Sequence, residues 1–360
     1  MELMHTPLHE VLKRAGARFT EFWGWETPET FGDFRAEYNA LKLAAGVVDL
    51  SFRGKLAATG ADRQDFLHRM VSNQVNGLAP GQGNYCFLLN AQGHILADMN
   101  LLVQAERILL DCEPFVTGKL REALEKFVIA DDVELHDLSA QLGTIGIEGP
   151  LCREVVASVL GLEPPHMKPL EHFSPEATDD FLLARQSITG QGSVAGFWLI
   201  APAARLPELW ERLAEAARPL GGGPVGLAAL ETARIEAGIP RYGADIEEKT
   251  LPQETGQFRA ISFDKGCYPG QEIVERIRSR GHVNRRLVGL MAAPGEALRA
   301  GTSVQAGGRD VGRVTSAAHS PGIGRSIALA YLRREAAEPG AEVSVDGVPA
   351  EVAPVPFPRR

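Results

Sequence analysis

The stretch after Arg286 constrains the fold more than any other part of the chain. It breaks into short β-rich segments at residues 287–291, 303–305, 311–314, 327–331 and 342–345, separated by Pro-Gly, Gly-Gly and Asp-Gly pairs. Glycine reaches positive φ freely and proline fixes φ, so each pair marks a tight reversal. Strands this short at this spacing predict a small antiparallel barrel. The residues before it follow a different rule, with helical and extended patterns alternating to about residue 240. A boundary near 285 separates residues 1–284 from a barrel at 285–360. Pattern alone therefore gives an α+β region followed by a β-barrel.

Within the first region, residues 37–45 read as a helix. Residues 47–50 and 55–59 read as a strand pair bent at Arg53-Gly54. Phe66, Leu67, Met70 and Val71 form an apolar stripe at helical spacing over 61–71. Residues 85–89 and 95–103 flank Asn90-Ala91-Gln92-Gly93, a hairpin signal. Pro114 and Pro150 each suit the first position of a helix, running to about 127 and 160, and a helix from about 225 ends at Gly238. Residues 164–175 read as a surface excursion and residues 354–360 as a frayed tail.

Composition narrows the function classes. The formal net charge is −9, which argues against a generic nucleic-acid coat or an anionic-membrane binder. No run of about 18 apolar residues occurs, and Met1-Glu2-Leu3-Met4-His5 has neither a basic nor an apolar leader segment. Cys86, Cys112, Cys152 and Cys267 show no CxxC or other metal-ligand spacing. A reduced, cytoplasmic protein is the expectation. That excludes a self-contained zinc or iron–sulfur site of familiar spacing but leaves open a cluster shared between chains.

The chemistry concentrates in Lys265-Gly266-Cys267-Tyr268-Pro269-Gly270-Gln271-Glu272. Two glycines and a proline prescribe a defined bend that holds one thiol in place, with an ammonium before it and a carboxylate after it. The bend is either structural, with an inert packed cysteine, or it presents a functional thiol. The basic run at 276–286 is either a solvated face or a docking patch for an acidic partner.

This octapeptide, with Pro252-Gln253-Glu254 and Ile261-Ser262-Phe263 upstream, resembles the signature of YgfZ-type folate-binding proteins, relatives of the glycine-cleavage T-protein (aminomethyltransferase). Further matches to the T-protein pattern run along the chain. They include Thr6-Pro7-Leu8, Gly16-Ala17-Arg18, Asp49-Leu50-Ser51, Leu89-Asn90, Gly149-Pro150, Arg234-Ile235-Glu236-Ala237-Gly238, Tyr242-Gly243 and Ser326-Ile327-Ala328-Leu329-Ala330. The resemblance implies a three-lobed clover, with two α+β lobes and a C-terminal antiparallel barrel around a hole for tetrahydrofolate or a one-carbon derivative. Tyr85, Asp98, Arg234 and Tyr242 would line that hole, with Asp98 and Cys267 as the chemical groups. Without the resemblance, Arg234 reads as an ordinary helix-surface ion pair.

The pattern breaks in two places. Where T-proteins carry adjacent aspartates, this chain has Ala97-Asp98, so a single carboxylate remains, between apolar neighbours that raise its pKa. Where T-proteins carry a stretch with two glutamates, residues 190–198 put Val194 and Trp198 in their places. Valine accepts no hydrogen bond, and an unpaired pterin N–H costs about 1–3 kcal/mol. The loss argues against full aminomethyl transfer unless Asp98 or Gln191 supplies the acceptor. The resemblance thus implies a folate-binding protein that supports iron–sulfur cluster assembly or repair, including for tRNA-thiolating enzymes. Lys265 and Glu272 would position or polarise Cys267, and the partners would be iron–sulfur proteins or their assembly factors, with no direct nucleic acid. The alternatives are a folate-dependent aminomethyltransferase or related demethylase, and an interaction module with a vestigial hole.

Overall fold

The computed structural model describes residues 3–175, 181–190 and 196–358. Among them three sheets and a closed barrel organise the chain. A small N-terminal sheet joins Met4–His5, Trp25–Thr30 and Arg18–Phe22. A five-stranded antiparallel sheet runs Gly83–Leu89, Ile95–Val103, Ile108–Cys112, Gly54–Thr59 and Glu134–Asp137. A six-stranded sheet runs His172–Phe173, Leu182–Ala184, Gly196–Pro202, Leu142–Glu148, Gly46–Asp49 and Gly223–Pro224. Each larger sheet carries helices over an apolar face, giving two α+β lobes.

Residues 47–50 and 55–59 are not a pair. Gly46–Asp49 lies in the six-stranded sheet and Gly54–Thr59 in the five-stranded one. The turn at Arg53 is therefore the crossover between lobes. Both segments are apolar with few alternating polar positions, so their pattern fixes them as buried strands without naming their neighbours. By contrast, the 85–103 hairpin forms as expected, with Gly93 at φ +76 and Asn90 N–H donating to the His94 carbonyl at 3.0 Å. In the helix Phe34–Leu43, the Asp33 carboxylate caps the free amides of Arg35 and Ala36 at 3.0 Å each. Leu206–Ala217 buries Leu206, Leu209, Trp210, Leu213 and Ala217 along one stripe against its sheet.

The barrel closes six antiparallel strands in the order Arg285–Ala292, Arg325–Arg333, Arg309–Ser320, Ser303–Ala306, Glu342–Val345 and Val348–Ala353. The sixth strand carries no clear β pattern in the sequence, because Pro349 lies within it and Pro354 follows it directly. It completes the ring by pairing with both Glu342–Val345 and Arg285–Ala292. The residues after it are not frayed as far as Pro358. Phe357 is buried against Leu287, Ile327 and Leu329, and its N–H bonds the Glu236 carbonyl at 2.9 Å. Nor are residues 164–175 a surface excursion throughout, since Met167, Leu170 and His172 are buried.

The helix Leu227–Glu236 ties the helix Phe34–Leu43 to the barrel. Its Glu236 carboxylate accepts from Tyr38 Oη at 2.7 Å and from Ser320 Oγ of the barrel, and it pairs with Lys42 Nζ at 2.6 Å. Arg234, on the same helix, reaches Asp245 at 2.7 Å and Ser316 Oγ of the barrel at 2.9 Å. Removing either partner of such a buried pair strands a charge, which is why the pairing specifies how the lobes meet.

Candidate functional site

Asp98 occupies the middle of Ile95–Val103, with the neighbouring strand Gly83–Leu89 alongside it. From that neighbour Tyr85 Oη donates to Asp98 Oδ2 at 2.6 Å. Burial pushes the Asp98 carboxyl up to about 6. The Tyr85 hydrogen bond and the Arg53 guanidinium pull it down, and the Glu113 carboxylate pushes it up. Burial and the Asp98 charge together hold the Tyr85 hydroxyl well above its ordinary range. The pair is thus a carboxyl poised to exchange a proton near neutral pH, oriented by a phenol that stays protonated.

These two groups face a cleft between the lobes, partly open to solvent, with a cavity volume of about 60 Å³. Asp98, Tyr85, Arg53 and Glu113 come from the five-stranded lobe and the crossover. Gln186, Ser187, Ile188 and Trp198 come from the six-stranded lobe, and Arg234, Arg241 and Arg259 close the remaining side. A buried charge network braces the wall. Arg53 Nε bonds Asp111 at 2.7 Å and Arg53 Nη1 bonds Glu113 at 2.8 Å, while Lys55 Nζ sits 2.9 Å from Asp111. Burial works against the Asp111 charge, but Arg53 and Lys55 prevail and hold its pKa below the ordinary carboxylate value. Arg53 lies over the Trp198 ring at 5.1 Å, and Trp198 Nε1 donates to buried Glu148 at 3.4 Å.

The residues present suit a ligand with N–H donors at one end and carboxylates at the other. Glu113 Oε2 is buried with no hydrogen-bond partner among the described residues, and Asp98 offers a second acceptor. Arg259 lies over the Tyr85 ring at 4.8 Å at the exposed mouth and has no carboxylate partner among the described residues. That chemistry matches a pterin head and a glutamate tail.

Not every expected residue lines the cleft. Tyr85, Asp98 and Arg234 do, but Tyr242 does not. Its hydroxyl donates to the Leu96 carbonyl at 2.7 Å and its ring packs on Phe115, so it supports the Asp98 strand from behind. Arg234 is neither free nor a surface ion pair. Burial opposes its charge, yet Glu231 and Asp245 hold it ionised. Val194 and Gln191 lie outside the described residues. Arg53, Glu113, Arg241 and Arg259 went unrecognised, although one signal pointed at the network. Lys55 and Asp111 are lone charges inside apolar strands, and buried charges need partners.

The 265–272 bend does not line the cleft and instead docks by its backbone on the Asn90–Gly93 turn. Gly270 has φ +78, and a Cβ there would lie 2.5 Å from the Asn90 carbonyl and 2.9 Å from the Gly93 Cα. A Cβ at Gly93 would meet Ile273 at 2.8 Å. The two glycines let the bend dock on the turn of the hairpin that carries Asp98. Tyr268 is buried beneath it, and Gln271 opens the helix Gln271–Arg280. Lys265 does not serve Cys267. Its ammonium donates to the carbonyls of His68, Val71 and Asn73, capping the end of Arg63–Met70, and burial lowers its pKa to about 8. Glu272 and Cys267 are both exposed, and Cys267 is not a lining residue of the cleft. The other three thiols are buried, and burial raises each of them. From the basic run, Arg278 stacks on Phe263 at 4.5 Å and Arg286 pairs with Glu338 at 2.5 Å, both beside a second cleft that also holds His282.

Comparison with known proteins agrees with this geometry. The family described as GCVT N-terminal domain matches residues 8–265, and the one described as Glycine cleavage T-protein C-terminal barrel domain matches residues 285–358. An aminomethyltransferase of Saccharopolyspora erythraea is 32% identical over 367 residues, covering 99% of this chain and 98% of that relative. One from Rubrobacter xylanophilus is 32% identical over 362 residues, covering 99% and 95%. The crystal structure of glycine cleavage system aminomethyltransferase T from Bartonella henselae superposes with a TM-score of 0.91 at 27% identity, covering 99% of this chain and 98% of that one. Among the described residues no helix is long and apolar enough to cross a membrane.

Proposed function

Because the chain belongs to the glycine-cleavage T-protein family, we propose that it binds a tetrahydrofolate in the Asp98 cleft and transfers a one-carbon unit to it from an aminomethyl donor, with release of ammonia. The observation that carries this reading is the Asp98–Tyr85 pair, a carboxyl with pKa about 6 at the wall of a cleft built from both lobes. The folate supplies the nitrogen that accepts the carbon. Asp98 holds or releases the proton that moves during transfer, Tyr85 fixes the carboxyl's direction, and Glu113 accepts from the ligand's N–H groups. The test is tetrahydrofolate-dependent ammonia release by the wild type and by Asp98→Asn. Loss of the acid–base group should lower the rate about 10²–10⁴-fold, and the wild-type rate should fall as pH drops through about 6. A variant as active as the wild type would sink the assignment.

The relatives reverse the order in which the sequence alone ranked its two readings. A YgfZ-type role in iron–sulfur assembly or repair keeps one specific support. Cys267 is exposed while the three other cysteines are buried, on a bend docked to the Asp98 hairpin. In this second reading Cys267 acts on an iron–sulfur client or assembly factor, with the basic run as its docking patch. If it holds, Cys267→Ser abolishes rescue of iron–sulfur enzyme activity in cells lacking the chain. Full rescue by that variant would remove it.

A further inference from the structure

Away from the cleft, the N-terminal sheet brings three metal-ligand side chains together from three separate elements. His5 ends the strand Met4–His5, directly opposite Glu26 in the parallel register with Trp25–Thr30. His9 is the first residue of the helix His9–Arg14. His5 Nε2 lies 3.1 Å and His9 Nε2 2.7 Å from the same oxygen, Glu26 Oε2. All three ligand atoms fall within 4.8 Å of one another. The imidazole rings stack at 4.0 Å with 3° between their planes, and Phe19 packs on His9 at 4.8 Å. His5 and His9 stand at an H-x3-H spacing, and the fold rather than the local chain brings Glu26 to them.

Of the two ring nitrogens near Glu26 Oε2, His9 Nε2 is hydrogen-bonded to it at 2.7 Å, while His5 Nε2 lies 3.1 Å away without a hydrogen bond to it. His9 Nδ1 faces a second carboxylate, Glu10 Oε1, at 3.3 Å. A divalent ion held by the two Nε2 lone pairs and Glu26 Oε2 would leave Nδ1–H of His9 to donate to Glu10, the kind of outer carboxylate that orients metal-bound histidines generally.

We propose that His5, His9 and Glu26 form a binding site for a divalent transition-metal ion of the zinc class. Two imidazoles and one carboxylate, with a fourth position open to water, favour zinc, cobalt or nickel over magnesium and calcium, which take oxygen ligands. The His5 and His9 Nε2 atoms lie 3.1 and 2.7 Å from Glu26 Oε2, inside the edge of about 3.4 Å of a tetrahedron with bonds near 2.1 Å. Binding therefore requires a side-chain rotation that opens the set and turns one stacked ring toward the ion. Occupancy staples the first strand and first helix to the strand Trp25–Thr30. Just before that strand, Phe22 and Trp23 carry the Arg241 guanidinium at 5.2 and 5.8 Å from their ring centres.

The experiment titrates chelator-stripped full-length protein with Co²⁺, followed by its visible d–d absorption, and with Zn²⁺ by calorimetry at neutral pH. The expected result is one ion per chain, with affinity lowered about tenfold or more in His5→Gln and in His9→Gln. His5 is half-exposed, so its substitution leaves the fold intact, which circular dichroism verifies. Cys267→Ser should bind as the wild type does. No uptake by the wild type, or equal uptake by both histidine variants, overturns the proposal.

Discussion

Replacing Asp98 by asparagine should stabilise the protein at alkaline pH while removing its chemistry. Burial raises the carboxyl from 3.8 to about 6, so the folded state holds a proton that the unfolded chain has already released between those values. Stability from this group is therefore lost as pH rises through that window. The full cost of the buried charge is in place above about pH 6, and none of it remains below about pH 4. Two pKa units at 1.36 kcal/mol each give about 3 kcal/mol, and partial solvent access reduces that to about 2 kcal/mol. Asparagine has the same shape, still accepts from Tyr85 Oη and carries no charge. Urea unfolding of both proteins at closely spaced pH values from 4 to 8 tests this. The two curves should coincide near pH 4 and separate by about 2 kcal/mol in favour of Asp98→Asn at pH 8. A constant difference across the range, or a less stable variant at pH 8, would refute the claim that Asp98 is held at a raised pKa.

Gly270→Ala forces a Cβ into a left-handed position and toward the Asn90 carbonyl. The conformation alone costs about 1–2 kcal/mol, so urea unfolding should show at least that loss, and none would mean that the bend is not docked. Lys55→Met removes one of two cations from buried Asp111 and should destabilise by about 2–4 kcal/mol, with an unchanged midpoint counting against the network. Of the four cysteines, only Cys267 should react quickly with a thiol reagent in the native protein. The other three should react after denaturation, and fast modification of more than one native thiol contradicts their burial.

The barrel and the 85–103 hairpin were legible because their turns are written in glycine, proline and asparagine, which act over a few residues. Partnership between distant strands was not. The segments at 47–50 and 55–59 look alike to any local rule, and only packing sends them to different lobes. Asp98, Tyr85 and Arg234 could be found through the family pattern, and the apolar neighbours of Asp98 gave a local reason to expect a raised pKa. Arg53 and Glu113 escaped because each gains meaning only from a partner more than 40 residues away, as in the Arg53–Asp111 bond across 58 residues. Lys265 misled for the opposite reason. Only Gly266 separates it from Cys267 in sequence, yet its ammonium is drawn to the carbonyls of His68, Val71 and Asn73 at and just past a helix end, which satisfy it better than an exposed thiol can.

The central claim is that the cleft walled by Asp98, Tyr85, Glu113 and Arg259 takes a folate. Calorimetric titration of tetrahydrofolate into the wild type, Asp98→Ala and Cys267→Ser tests it most directly. The account predicts saturable binding by the wild type and by Cys267→Ser, and binding weakened or lost in Asp98→Ala. No binding by the wild type would contradict it, leaving a T-protein fold whose cleft serves another ligand.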